Sequence, residues 1–100
     1  MSPLEQFDAA TKTVTQERGA VYGHPADDFA RVAHMAQMIE DCADPRIRHA
    51  LYMVLVKVAR LVTTPNHVDS AVDIAGYART LAMVQAWNAE RRAEAVREGE

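Results

Sequence analysis

Apolar positions along this chain recur at helical spacing, and only a few breakers interrupt them. Phe29, Val32, Ala33, Ala36 and Ile39 share one face of a helix predicted over 26–42, with Asp27 and Asp28 in its first turn. Ile47, Leu51, Val54, Leu55, Val58, Leu61 and Val62 form a wide stripe over 45–62, the most apolar stretch of the chain. Ala43-Asp44-Pro45 separates these two helices, with Asp44 as cap and Pro45 in the first helical position. An earlier helix is predicted over 3–18, opened by Ser2, Pro3 and Glu5. The stretch Gly19-Ala-Val-Tyr-Gly-His-Pro25 carries two glycines and a proline and reads as a loop. After Thr63-Thr-Pro-Asn66 a long last helix begins, with Asn66 as cap and Asp69 as the acidic partner of a capping box. Beyond Trp87 the chain turns to NAERRAEAVREGE, good helix formers without an apolar face. The expectation is an all-α four-helix bundle, a single domain over 1–88 with a charged, partly frayed helix end over 89–100.

Composition narrows the setting. One hundred residues leave room for one small domain, which buries only about 60–70% of its unfolded surface. A net charge of -3 argues against broad binding to nucleic acid or anionic membrane. The single cysteine, Cys42, excludes an intramolecular disulfide framework and a Cys-rich zinc site. No apolar run reaches the length of a membrane span, and MSPLEQFDAA lacks the pattern of a secretory signal, so a cytoplasmic protein is expected. Apolar residues around most of helices three and four, among them Met53, Leu55, Ile74, Leu81 and Val84, predict a homo-oligomer through those helices.

The polar residues inside apolar helices carry the candidate chemistry. Lys57 and Arg60 interrupt the third helix three residues apart, with His49 and Met53 on the same strip. On the fourth helix Asp69, Asp73, Gly76, Tyr77 and Thr80 fall on one face. An interior glycine costs about 1 kcal/mol relative to alanine, so Gly76 predicts a ligand or helix close to the backbone. Two carboxylates at i and i+4 could share Mg²⁺, while a lysine and an arginine supply a point charge and a planar fork for phosphate. The same residues also fit a plainer role. Asp69 would cap its helix, and Asp73 would pair with Lys57 or Arg60 inside the bundle. Arg18, Tyr22 and His24 cluster at the first break, and His24 and His67 both flank breaks where a ligand could touch them.

Together, Arg18-x-x-x-Tyr22-Gly23, Phe29, Lys57-x-x-Arg60 and Pro65-x-His67-x-Asp69-x-x-x-Asp73-Ile-Ala-Gly76-Tyr77 resemble the small helical MazG-like proteins of phages and prophages. That family is kin to all-α nucleotide pyrophosphohydrolases. The resemblance implies nucleoside triphosphate cleavage to monophosphate and pyrophosphate, with Mg²⁺ on Asp69 and Asp73. Phosphate would meet Arg18, Lys57 and Arg60, with Tyr22, His24, His67 and Tyr77 as further nucleotide contacts. One element departs from the pattern: the earlier helix lacks the E-x-x-E pair, because Glu40, Asp41 and Asp44 sit only at its end. Three readings follow: a Mg²⁺-dependent pyrophosphohydrolase, a phage protein that sequesters a nucleotide against host defence, and a structural interaction bundle.

Overall fold

A computed structural model describes residues 2–100, and the side chains of all of these except 13, 15, 18, 21 and 22. Four α-helices make up the described chain: α1 (Pro3–Tyr22), α2 (Pro25–Ala36), α3 (Pro45–Thr63) and α4 (Val68–Gly99), with a 3₁₀ turn at Gln37–Ile39. No strand occurs among the described residues.

Local chemistry sets the helix starts. Ser2 and Glu5 form a reciprocal capping box on α1, each side chain accepting the other's backbone N–H at 3.2 Å. Asp44 Oδ1 accepts the backbone N–H groups of Arg46 at 2.8 Å and Ile47 at 3.3 Å, as its place before Pro45 foretold. Its other oxygen accepts from Asn88 Nδ2 at 2.8 Å, which ties the start of α3 to the middle of α4. Those hydrogen bonds, the Ile47 N–H foremost, hold the Asp44 carboxyl below its ordinary range.

Three boundaries differ from the sequence expectation. The predicted loop at 19–25 is helix as far as Tyr22, because Gly19 adopts helical geometry and only Gly23 breaks the chain. Gly23 sits at φ 76°, ψ -163°, a conformation that L side chains rarely adopt. The predicted α2 is shorter than 26–42: it ends at Ala36 and tightens into the 3₁₀ turn, a common way to satisfy last-turn carbonyls. The cap of α4 is His67 rather than Asn66, and the partner in its first turn is Ser70 rather than Asp69. His67 Nδ1 and Ser70 Oγ lie 2.7 Å apart, and Ser70 is only 1% exposed.

α3 is the hub. It packs mainly against α4, then α2, and among the described residues α4 packs against α3 alone. Ser70, Ile74, Tyr77, Leu81, Val84 and Asn88, spaced alternately by four and three residues, are the covered positions of α4. The pairs Lys57–Asp73 and Asp44–Asn88 run in opposite order along the two helices, so α3 and α4 are antiparallel. Ala59 on α3 is completely buried, a small side chain that lets its neighbours come close.

The core is thin. Met53, Leu55, Ile74, Leu81 and Val84 are half-buried in the single chain. Large apolar residues that stay uncovered include Leu4, Phe7 and Val14 on α1, Phe29 on α2, and Val68, Val72 and Met83 on α4. The radius of gyration is 18.7 Å, against about 13 Å for a compact chain of this length. The accessible surface is 7417 Å², about 1,750 Å² more than a folded monomer of this mass exposes.

Candidate functional site

The α2–α3 cleft

Lys57 and Arg60 stand on adjoining stripes of α3 and serve different neighbours. Tyr52, Val56 and Arg60, at intervals of four residues, line a cleft of about 290 Å³ between α3 and α2. Asp28, Phe29 and Val32 of α2 form its other wall. Lys57 faces α4, where its Nζ lies 3.0 Å from Asp73 Oδ2. That lysine side chain is 11% exposed and the aspartate 47%, so the pair is sheltered on one side only.

The expected face of α4 exists, with its members in different roles. Tyr77 and Thr80 line a shallow groove against Arg46, His49 and Met53 of α3. The Thr80 hydroxyl donates to the Tyr77 carbonyl at 2.9 Å, a bond within its own helix. Asp69 is exposed in the first turn of α4. A Cβ added at Gly76 would meet nothing within 4 Å, so no part of the chain explains that glycine. The expected close approach is therefore absent within one copy of the described chain.

His24 and His67, flanking the two breaks, are both helix N-caps. His24 Nδ1 accepts the Ala26 N–H at 3.0 Å, which places the proton of the neutral ring on Nε2. Arg18 and Tyr22 belong to the last turns of α1, and their side chains lie outside the described residues.

Among the described residues no group of three His, Cys, Asp or Glu side chains converges as a metal site. Asp69 and Asp73 supply two carboxylates at most, and one oxygen of Asp73 is engaged by Lys57. Two carboxylates without a third converging donor make a thin cradle for the Mg²⁺ of phosphoanhydride cleavage.

The model of a domain of unknown function, DUF6378, matches residues 5–85, which takes in α1, the cleft, α3 and the first half of α4. The chain belongs to the DUF6378 family. It is also 35% identical over 72 residues to the Gene 55 protein of Mycobacterium phage D29, which covers 72% of this chain and 48% of that protein. The chain thus spans about half the length of that phage relative. No solved structure matches it. The match to DUF6378 includes every candidate residue named above and stops before the charged end of α4.

Two side chains of this DUF6378 chain escaped the sequence reading as site residues. Asp28, a first-turn acid by its position, is 9% exposed, and its Oδ1 has no hydrogen-bond partner among the described residues. Tyr52, on an apolar helix with no motif around it, is exposed and lines the cleft opposite Phe29. The signal for Asp28 was available: it lies four residues before Val32, on the buried stripe of α2. The same reasoning singled out Lys57 on α3.

Proposed function

We propose that this protein binds a nucleotide or a related phosphorylated small molecule at the α2–α3 cleft, as a MazG-like protein that binds without metal-assisted hydrolysis. The observation that carries this reading is Arg60, a guanidinium on the most apolar helix that lines an open cleft with two exposed aromatic rings. A guanidinium suits a phosphate through two parallel N–H donors, and an aromatic wall suits a base. Arg60 is the principal phosphate contact. Lys57 stays with Asp73 and steadies α3 against α4. The poor fit of Asp69 and Asp73 to Mg²⁺ supports binding over turnover. The likeness to a phage gene product supports a sequestering role in an infected host.

The binding unit is a homo-oligomer in this reading. An excess exposed surface of about 1,750 Å² is roughly twice what one partner buries in a standard interface. The apolar faces of α1 and α4 supply that surface, with a second copy as the occupant.

Thermal-shift and calorimetric titration with mono-, di- and triphosphates test the reading, because a ligand specific for the folded state raises Tm by mass action. Binding that is lost in Arg60→Met supports it, and absence of binding by every nucleotide overturns it. Incubation of nucleoside triphosphates with Mg²⁺ is expected to release no more pyrophosphate than an Asp69→Ala/Asp73→Ala control. Light scattering behind size exclusion is expected to give a multiple of the 11.1 kDa chain mass.

A further inference from the structure

The cleft holds a carboxylate that the described residues leave unsatisfied. Asp28 is nine-tenths buried, lines the cleft, and has an Oδ1 without a hydrogen-bond partner among the described residues. A buried acceptor left unmade costs about 1–3 kcal/mol, so a ligand that supplies the donor recovers that cost on binding. Asp27, its neighbour, is exposed and would serve the α2 dipole equally well, so helix electrostatics alone do not call for a buried carboxylate. The carboxylate torsion is broad, which lets either oxygen turn toward an incoming donor.

We propose that this cleft is a base-reading site specific for guanine, resting on the nucleotide reading above. A carboxylate only accepts, and it matches an edge that presents two adjacent N–H donors. Among the common bases only guanine has that edge, with N1–H beside N2–H. Its O6 follows on the same edge and can take its donor from water. Arg60 lines the same cleft and keeps its fork for the phosphate, as in the reading above. The carboxylate thus matches the donor–donor pair that distinguishes guanine from the other bases. Phe29 and Tyr52 are both exposed at the cleft, one on each wall, and offer faces for stacking. The volume of about 290 Å³ lies at the small end of ligand pockets, which suits a ring with its sugar turned to the open side. A cationic ligand such as a guanidinium side chain would satisfy Asp28 but would be repelled by Arg60. A neutral ring carrying an anionic tail meets both.

Calorimetry with four probes tests this: GMP, AMP, guanosine and inorganic pyrophosphate, on the wild-type chain, Asp28→Asn and Phe29→Ala. GMP is expected to bind about tenfold or more tighter than AMP. Asp28→Asn is expected to erase that preference while pyrophosphate binding is unchanged. Phe29→Ala, at an exposed position that folding does not need, is expected to weaken GMP and AMP alike. Guanosine binding without pyrophosphate binding upholds the base site and overturns the phosphate reading. Pyrophosphate binding with equal affinity for GMP and AMP overturns the base site and leaves the phosphate reading standing. Failure of all four probes overturns both. A GMP preference that survives Asp28→Asn overturns the role of the carboxylate.

Discussion

The two faces of α3 handle buried charge in opposite ways. Toward α4, Lys57 meets Asp73 at 3.0 Å and the charge is neutralised within the chain. Toward α2, Asp28 and Arg60 line one cleft, yet an Asp28 oxygen keeps no partner among the described residues. The first arrangement is complete by itself and works as structure. The second is incomplete, and the proposed ligand would complete it. Charge in an apolar stripe is therefore not by itself a sign of a site. What separates the two is whether the surrounding chain satisfies it.

Substitutions can break or sharpen this contrast. The largest expected effect is on ligand affinity: Arg60→Met weakens nucleotide binding about a hundredfold, whereas Lys57→Met leaves it within about twofold. Equal losses in the two titrations would make the α3–α4 pair part of the site. Next comes Ser70→Ala, which removes the His67 contact at 2.7 Å from a position 1% exposed. Chemical denaturation is expected to show a loss of about 1–2 kcal/mol. Gly76→Ala should stabilise the folded protein by about 1 kcal/mol, since nothing in the chain occupies the space a methyl would fill. A destabilised oligomer in that variant would mark Gly76 as the point where a second copy approaches.

A double-mutant cycle on Lys57→Met and Asp73→Ala should return a coupling of only about 0.5 kcal/mol, because Asp73 is 47% exposed and water screens the pair. A coupling above about 2 kcal/mol would move this face into the same class as the cleft. The smallest effect is the pH response of the α3 cap. Folding lowers the Asp44 pKa from its ordinary 3.8, so the unfolded chain takes up the proton first. The contribution is present above the ordinary value and fades as pH falls through the lowered one. Acid titration of Tm should therefore show a steeper decline in the wild type than in Asp44→Asn.

Much of the architecture was readable from residues alone. Ser2 with Glu5, and Asp44 before Pro45, marked helix starts that the structure confirms in atomic detail. The apolar stripe of α3 identified the central helix. What was lost followed from chemistry that propensity ranks poorly. Gly19 sits in a helix because neighbouring turns carry it through, while Gly23 alone takes a positive φ. Histidine is a less usual cap than asparagine, so Asn66 drew the assignment that belongs to His67. Lys57 and Arg60 look like one strip at a spacing of three, but Lys57 faces α4 while Arg60 lines the cleft against α2. Asp28 hid behind a sound rule, since acids do favour first turns. Only its burial shows that it does something else.

Past Asn88, α4 leaves its companion and runs on through 89–99 beside no other helix. Near contacts there are within the helix, such as Arg91 to Glu94 at 3.0 Å and Arg91 over the Trp87 ring at 5.4 Å. The amide protons of that segment should consequently exchange with solvent at a rate set by local fraying, while those of 70–84 exchange only through wider opening. Protection that extends to the last turns would report, amide by amide, the footprint of whatever molecule lies alongside.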